Sequence, residues 1–182
     1  MALTESTMVK LGSVAPYFNL PDTLGKNVSI EDFDSELLII VFTCNHCPYA
    51  KAVEDRLIKL GKEYKNDVDF VLISSNDSEN YPEDSPKKMA ERHTEKGYPF
   101  PYLFDETQEV AKNYQAACTP DFYLFDKNLE LYYRGRFDSS RPGNNLPVTG
   151  EDIHEAAELM LSKLSYNQKQ YPSMGCNIKW ND

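Results

Sequence analysis

Cys44 and Cys47 flank Asn45 and His46 in a C-N-H-C tetrapeptide, and their thiols are the groups in this sequence best suited to chemistry. If a helix begins there, the sulfurs lie one turn apart, so one thiol can attack a mixed disulfide formed at the other. The start of a helix stabilises a thiolate and lowers a cysteine pKa from about 8.5 to between about 3.5 and 7.5. We therefore expect Cys44 to act as the nucleophile and Cys47 as the resolving thiol, while a protonated His46 adds positive charge beside the sulfur.

The same C-x-x-C spacing also supplies half of many zinc sites, which is one alternative for this pair. Structural zinc usually takes four ligands. Cys118 and Cys176 stand apart from each other, and the sequence has no second C-x-x-C and no H-x-x-H pair. We therefore predict a redox pair that requires neither a metal ion nor an organic cofactor, with an inert structural pair as the remaining alternative.

The residues on either side of the pair predict the elements that position it. Leu37 to Phe42 is an uninterrupted apolar run with β-branched residues, which favours a strand covered on both faces in a parallel sheet. Apolar residues recur at helical spacing from Ala50 to Tyr64, so an amphipathic helix begins near Cys47. Val68 to Ile73 is a second apolar run. A strand, helix and strand in this order predict two parallel neighbours joined by a right-handed crossover.

The rest of the chain alternates short apolar runs with polar stretches that carry Pro and Gly. Two short apolar runs around the turn at residues 21–25 predict an N-terminal β-hairpin within residues 10–33. The other predicted elements are a loop at 74–86, helices near 86–96, 106–114 and 150–164, a short strand at 102–104, and a hairpin of strands 122–125 and 129–133. Residues 165–182 show no clear period, which predicts an irregular tail.

Length, composition and charge narrow the class of protein. The chain has 182 residues, of which 41% are hydrophobic and 26% charged, enough for one domain with a full core. The formal net charge of −10 opposes binding to nucleic acid or to an anionic membrane, since like charges repel. No window approaches the roughly 18 apolar residues of a membrane helix, and Met1 to Lys10 lacks the apolar stretch of a signal peptide. We therefore expect a cytoplasmic protein.

Three motifs together resemble a known superfamily. They are C-N-H-C-P at a strand-to-helix junction, T-P-D-F-Y-L-F-D about 72 residues later, and A-P-Y-F-N-L-P-D-T-L-G-K near the start. They are similar to the thioredoxin-like superfamily and, more narrowly, to its redoxin or AhpC/TSA-related, peroxiredoxin-like group with a CxxC motif. The resemblance implies an α/β thioredoxin-like fold, with a central mixed β-sheet flanked by helices and an N-terminal hairpin extension. It predicts an N-terminal segment at 1–10, a redoxin domain at 11–164 and a C-terminal tail at 165–182.

The resemblance also implies an activity and a substrate groove. It predicts a thiol-disulfide oxidoreductase in which the Cys44–Cys47 dithiol or disulfide exchanges with a protein or a small-molecule thiol or disulfide. A reductase is the expected further partner. Thr119–Pro120 is then expected to be a cis peptide that faces the cysteine pair and helps to bind an extended substrate backbone. Thr43 and His46 depart from the pattern of thioredoxin itself, which carries Trp before the first cysteine and Gly-Pro between the two. His in the third motif position resembles strongly oxidising relatives, so we predict a potential more oxidising than that of thioredoxin.

A peroxiredoxin-like thiol peroxidase is the main functional alternative. In the signature P-x-x-x-T-x-x-C, aligning the reactive cysteine with Cys47 puts Cys44 in the Thr position and Ile40 in the Pro position, so both supporting residues differ. Such an enzyme also needs an arginine beside the peroxide. The candidates for that arginine are Arg134, Arg136 and Arg141. A redox-sensing binding module, in which oxidation of the pair alters partner binding without turnover, is a second alternative.

Two lone cysteines complete the set of candidates. A buried cysteine usually packs as a small hydrophobe, and this interpretation is favoured for Cys118, two residues before Pro120. Cys176 lies in a short segment that ends in the single tryptophan, Trp180. It is either a further resolving thiol or an incidental cysteine in a docked tail.

Overall fold

The computed structural model of the chain describes residues 3–181. In chain order the strands are β1 Leu3–Glu5, β2 Asn19–Pro21, β3 Asn27–Ser29, β4 Leu37–Phe42, β5 Val68–Ser74, β6 Tyr102–Phe104, β7 Cys118–Thr119, β8 Asp121–Asp126, β9 Leu131–Gly135 and β10 Met174–Asn177. The helices are α1 Pro48–Glu63, α2 Pro86–Lys96, α3 Glu109–Asn113 and α4 Glu151–Leu161. Short 3-10 turns at Ile30–Asp32 and Pro82–Asp84 complete the regular structure of the described residues.

The largest sheet is mixed and has the strand order β6-β5-β4-β8-β9. Strands β4, β5 and β6 run parallel, whereas β8 runs antiparallel to both β4 and β9. Every residue of β4 is buried, as its continuous apolar run predicts for a strand between two neighbours with both faces covered. The predicted mixed sheet and the predicted hairpin of β8 and β9 are therefore confirmed.

Alternate residues of β4 enter two separate apolar layers. Leu37, Ile39 and Val41 pack in the layer that also holds buried residues of α1 and α4. The intervening residues pack on the opposite face with the N-terminal hairpin and α3. This division follows from the two-residue period of a strand, and it covers the central sheet on both sides.

Helix α1 begins directly after the second cysteine of the pair. Cys47 is its N-cap and Pro48 its first residue, a position where the missing N–H of proline costs nothing. The predicted apolar face of the helix, which includes Ala50, Val53 and Leu57, is buried against the sheet. Among residues 3–181, no helix has the length and apolar character needed to cross a membrane.

The two ends of the described chain meet in a second, antiparallel sheet of order β1-β10-β7. Cys176 of β10 lies opposite Leu3 on one side and Thr119 on the other. The tail predicted to be irregular therefore contains a strand. Its sequence M-G-C-N lacks the alternation and β-branched residues that mark a strand, so the pairing follows from the open edge of β7 rather than from local propensity. The limits of the three predicted segments stay a prediction.

The remaining differences from the sequence-based elements are small. The N-terminal hairpin forms from β2 and β3, and α2 spans the predicted residues. Helix α3 is shorter than the predicted span of 106–114. The predicted loop at 74–86 contains the 3-10 turn Pro82–Asp84, which carries a fully buried carboxylate, that of Asp84.

Candidate active site

The cysteine pair lies below the surface, where β4 passes into α1. Cys44 follows the strand after Thr43, whose N–H donates a hydrogen bond to the Ile73 carbonyl oxygen at 2.9 Å. Cys44 is 4% exposed and Cys47 is completely buried. All four cysteines of the chain are reduced and buried. Access to either sulfur of the pair therefore depends on the segments that cover it.

Thr119 contacts both sulfurs of the pair. Its Oγ1 lies 3.4 Å from Cys44 Sγ, and its carbonyl oxygen lies 3.1 Å from Cys47 Sγ. The Thr119–Pro120 peptide bond is cis, which confirms the prediction for this dipeptide. The end of the short strand β7 thus lies in contact with the two thiols.

A third sulfur adjoins the pair. Cys176 Sγ lies 2.9 Å from Cys47 Sγ, although the two residues are 129 positions apart in the chain. Cys176 is itself buried, at 3% exposure. The pairing of β10 with β7 places this residue directly opposite Thr119.

The groups around Cys47 lower the pKa of its thiol and so favour a negative charge on this sulfur. A hydrogen bond from the Cys44 thiol is the largest cause that lowers the pKa of Cys47, and the Cys176 thiol, the Thr119 hydroxyl and the Ala50 N–H act in the same direction against burial. The Ala50 N–H belongs to the first turn of α1, where donors lack partners within the helix. Sequence reasoning expects the thiolate at Cys44; because the helix begins at Pro48, its first-turn donors face Cys47 instead.

Cys44, by contrast, keeps its proton. The hydrogen bond to Cys47, burial and the negative charge of Asp84 all raise the pKa of the Cys44 thiol above its ordinary value. The pair therefore shares one proton, which Cys44 holds and Cys47 accepts as a hydrogen bond.

His46 is bound to a carboxylate that sequence reasoning did not identify. Its Nδ1 lies 2.5 Å from Asp84 Oδ2, and its ring stacks on Tyr81 with centroids 5.3 Å apart. Burial acts to raise the pKa of Asp84, but hydrogen bonds from His46 and Asn76 outweigh it and hold this pKa below its usual range. A protonated His46 therefore offsets the charge of Asp84 before it acts on either sulfur.

The turn at Pro82–Asp84 also fixes the two residues between the cysteines. Asp84 Oδ1 accepts hydrogen bonds from the backbone N–H groups of Asn45, at 2.8 Å, and His46, at 3.2 Å. The Asn45 side chain donates to the Glu83 carbonyl oxygen at 2.8 Å and accepts from the Tyr102 hydroxyl at 3.1 Å. The C-x-x-C loop is thus held to a segment 38 to 39 positions away. Nothing in the local pattern distinguishes Asp84 from Glu83 beside it.

One potential ligand atom from each of Cys44, His46 and Asp84 lies within 4.8 Å of the other two. Three ligands are fewer than the four of a structural zinc site. Both oxygens of Asp84 already accept hydrogen bonds, Oδ2 including one from Asn76 at 2.8 Å. The arrangement is that of a hydrogen-bonded network around a buried carboxylate.

Two of the candidate arginines are bound to carboxylates. Arg134 is fully buried, forms a two-pronged ion pair with Asp121 and lies 3.7 Å from the ring centroid of Tyr123. Arg136 pairs with Asp152 at 2.5 Å. Asp121 also accepts a hydrogen bond from the backbone N–H just before Cys118, at 3.3 Å, so this ion pair supports the turn that carries the cis peptide.

The remaining features of the site are Cys118 and a neighbouring pocket. Burial raises the pKa of the Cys118 thiol, whose sulfur contacts the carbonyl oxygens of Pro120 and Ser173, as expected for a packing role. A surface pocket of about 200 Å³ lies between Tyr49, Pro120 and the segments 136–142 and 171–174. None of the four cysteines lines it.

The structure brings together most of the predicted site residues. Cys44, Cys47, Thr119 and Cys176 form one buried cluster. His46 belongs to the adjoining network of Asp84. The Asp84 carboxylate is the functional candidate that the sequence did not indicate.

Residues 11–134 match the model of the family described as AhpC/TSA. The chain is 29% identical over 131 residues to the thiol-disulfide oxidoreductase ResA of Geobacillus kaustophilus, covering 70% of each protein. It is 31% identical over 155 residues to a Mycobacterium tuberculosis protein named "putative peroxiredoxin", covering 81% of this chain and 93% of that protein. These relatives carry the names of the two enzyme classes that the sequence suggests.

Solved structures support the same fold. An uncharacterized conserved protein from Geobacillus kaustophilus has a TM-score of 0.97 and 52% identity, covering 100% of this chain and 97% of that one. The thioredoxin domain of a Bacteroides vulgatus thiol-disulfide oxidoreductase has a TM-score of 0.62 and 17% identity, covering 81% and 97% respectively. The predicted thioredoxin-like fold is confirmed.

Proposed function

The chain belongs to the AhpC/TSA family, and from that premise we propose that it is a thiol-disulfide oxidoreductase whose reactive dithiol is Cys44 and Cys47. One observation carries the proposal: both thiols lie against the cis Thr119–Pro120 peptide, with the Thr119 hydroxyl oxygen 3.4 Å from Cys44 Sγ and the Thr119 carbonyl oxygen 3.1 Å from Cys47 Sγ. A thiolate and a neighbouring thiol are the two groups that disulfide exchange requires.

Cys44 is the attacking sulfur in this proposal because it is the more exposed of the two. The Cys47 thiolate accepts the proton of Cys44 through their hydrogen bond, and the Cys44 thiolate attacks one sulfur of a substrate disulfide. The bond between the two substrate sulfurs breaks, and one substrate sulfur leaves as a thiolate. Cys47 then loses its proton to that group and attacks Cys44 Sγ, which releases the second substrate sulfur. Two electrons pass to the substrate and a Cys44–Cys47 disulfide remains.

The proposed partners follow from this chemistry. Protein or small-molecule disulfides oxidise the pair, and a reductase or a small thiol restores it by the reverse exchange. Thr119 and Pro120 shape the groove for the substrate backbone, since the Thr119 hydroxyl lies 3.4 Å from Cys44 Sγ. We place the protein in the cytoplasm, where a dithiol is kept reduced.

His46 tunes the pair through Asp84. Since the carboxylate raises the pKa of Cys44, a protonated His46 that offsets its charge makes ionisation of the dithiol easier. A stabilised thiolate favours the reduced form, which makes the couple more oxidising. Redox titration against glutathione is expected to give a potential above the roughly −270 mV of thioredoxin. The variant His46→Ala is expected to be more reducing than the wild type, whereas His154→Ala on α4 serves as a control that leaves the potential unchanged.

Kinetic trapping tests the assignment of the two cysteines. Cys47→Ser is expected to accumulate mixed disulfides at Cys44 because the resolving thiol is missing, and Cys44→Ser is the matched control that traps none. Trapping by Cys44→Ser alone would reverse the two roles. The wild type is expected to catalyse repeated reduction of insulin disulfides when a reductant is supplied. A single stoichiometric oxidation without turnover would favour the redox-sensing module instead.

A thiol peroxidase is the second candidate, and the charge on Cys47 favours it. Cys47 aligns with the peroxide-attacking cysteine of peroxiredoxins, and Cys44, in the position of their Thr, donates a hydrogen bond to its sulfur. The engagement of Arg134 and Arg136 with carboxylates weakens this candidate. Rapid formation of a sulfenic acid at Cys47 on addition of peroxide, with catalytic peroxide consumption, would establish it.

A further inference from the structure

The third sulfur of the cluster lies within reach of a covalent bond. Cys176 Sγ and Cys47 Sγ are 2.9 Å apart, against about 2.05 Å in a disulfide, so a movement of about one ångström joins them. Both side chains are buried, and Cys47 also contacts Cys44 through its hydrogen bond. Cys47 is therefore the one sulfur in contact with each of the other two.

Cys176 is held in this position by ordered structure on both sides of it. Before it, Ser173 donates through Oγ to the Pro120 carbonyl oxygen at 2.6 Å and exchanges hydrogen bonds with Ser6. After it, the Lys179 N–H donates to Asn76 Oδ1 at 2.8 Å. The third thiol thus belongs to a fixed strand rather than to a loose tail.

Gly175 shows how closely β10 approaches the turn. A Cβ placed on Gly175 would lie 1.9 Å from the Thr119 carbonyl oxygen, a distance that no side chain can occupy. Only glycine allows the strand to lie at this distance from Thr119, where Cys176 meets Cys47. Strand β10 occupies the edge of β7 beside the cis peptide.

We propose that Cys176 is a third redox thiol of this site, which takes over the disulfide by forming a bond to Cys47. The proposal rests on the function proposed above, because that reaction leaves the Cys44–Cys47 disulfide on which Cys176 acts. The Cys176 thiolate attacks Cys47 Sγ, the bond between Cys44 and Cys47 breaks, and Cys44 leaves as a thiolate. The proton lost by Cys176 passes to Cys44, so the step exchanges one disulfide for another with no net transfer of electrons.

The electrostatics of the site favour this order of events. In the reduced site, burial and the contact with Cys47 raise the pKa of the Cys176 thiol, so Cys176 is held protonated. Oxidation of Cys47 removes its negative charge and with it one cause of that shift, while Lys179 still acts to lower the pKa of Cys176. The Cys44 thiolate that leaves is a strong proton acceptor because it lies in a buried site beside Asp84. The Cys176 thiol is thus a poor nucleophile in the reduced site, and formation of the Cys44–Cys47 disulfide makes it easier to ionise.

The product disulfide would tie β10 covalently to α1. In the oxidised protein a covalent bond then holds the strand to α1, whereas in the reduced protein hydrogen bonds alone hold it and its flanking residues.

Peptide mapping distinguishes the two disulfides directly. Trypsin releases Cys44 and Cys47 together on residues 27–51, and Cys176 on residues 170–179. After oxidation with oxidised glutathione, alkylation and digestion without reductant, a Cys44–Cys47 disulfide closes a loop within the first peptide. A disulfide to Cys176 joins the two peptides instead. The wild type is expected to give joined peptides as its main oxidised product.

Three variants assign the joined product. Cys44→Ser retains only the Cys47–Cys176 combination at this site and is expected to give joined peptides, and Cys118→Ala is a control that behaves as the wild type. Cys176→Ser is expected to give only the loop within residues 27–51, which reports the proposed function independently of the inference. If the wild type and Cys176→Ser give the loop while Cys44→Ser keeps both thiols, Cys176 has no redox role. If Cys176→Ser forms no loop, the proposed function fails instead.

Discussion

At the scale of single residues, the hydrogen bond between Cys44 and Cys47 is the largest influence on the charge of the pair, and two neighbours act in the same direction. The Ala50 N–H lies in the first turn of α1 and favours an anion on Cys47, whereas the Asp84 carboxylate disfavours one on Cys44. The proton of the pair therefore stays on Cys44, and the hydrogen bond between the sulfurs strengthens this preference.

The first prediction concerns that hydrogen bond. Cys44→Ala removes the donor to Cys47 and is expected to raise the Cys47 pKa, because the thiolate loses the largest contribution that stabilises it. Cys44→Ser keeps a hydroxyl donor at the same place and is the matched control, with a smaller expected rise. The ultraviolet absorbance of the thiolate, followed against pH in the reduced proteins, measures both. Equal titration midpoints in the two variants would contradict this assignment.

The second prediction concerns Asp84. Asp84→Asn removes a buried acceptor of hydrogen bonds from Asn45, His46 and Asn76, so the free energy of unfolding is expected to fall by on the order of 1–3 kcal/mol near neutral pH. Because the folded-state pKa of Asp84 is lowered, its ionisation contributes stability above the ordinary pKa of about 3.9, and this contribution disappears as pH falls through the folded-state value.

Urea unfolding at several pH values tests both parts of this prediction. The stability difference between the wild type and Asp84→Asn is expected to be largest above about pH 4 and to shrink as the solution is made more acidic. Glu83→Gln is a control for an exposed carboxylate in the same 3-10 turn. A difference that stays constant down to low pH would show that Asp84 is not the titrating group.

At the scale of elements, the site depends on the contact between two short strands with weak propensity of their own. Strand β7 has two residues and β10 has four, yet their pairing brings both Thr119 and Cys176 into contact with Cys47. Asp121, which forms the buried ion pair with Arg134, also accepts a hydrogen bond from the Ala117 N–H just before β7. The ion pair therefore supports the start of this strand. The geometry of three sulfurs therefore rests on how these strands are held by the larger sheet.

The third prediction tests the close approach of β10 to that turn. Gly175→Ala introduces a Cβ that overlaps the Thr119 carbonyl oxygen, so β10 is expected to move away from β7. Alkylation of Cys47 by iodoacetamide under native conditions should then be faster, and the joined peptides should be lost. Met174→Leu, one residue earlier in the strand, is the matched control with unchanged alkylation. Slow alkylation and intact joined peptides in Gly175→Ala would show that β10 does not need this close contact.

At the scale of the whole molecule, the excess of acidic residues is expected to select among substrates. The net charge of −10 creates a negative potential that attracts cations and repels anions over roughly 10 Å at moderate salt. This effect acts on the rate of encounter and not on the exchange chemistry at the sulfurs.

The fourth prediction follows from that potential. Cystamine, a cationic disulfide, is expected to oxidise the protein faster than oxidised glutathione, which is anionic, relative to their intrinsic reactivities with a free thiol. The uncharged disulfide of mercaptoethanol is the control. Added salt should bring the three relative rates together, because it screens the potential. A preference for the anionic disulfide at low salt would point to a local cationic patch at the groove.

Elements with a local pattern could be predicted from the sequence, whereas contacts between distant groups became known only from the fold. Strand β4, helix α1 and the C-x-x-C loop between them follow from periodicity over a few turns, while the motifs of the resemblance led to the cis Thr119–Pro120 peptide. The contacts of Cys176 with Cys47 and of Asp84 with His46 join residues 129 and 38 positions apart. The first contact depends on the pairing of β10 with β7, and the second depends on the burial of the turn Pro82–Asp84. The position of the thiolate follows from them, because burial, helix donors and a buried carboxylate act on a sulfur only through the folded geometry.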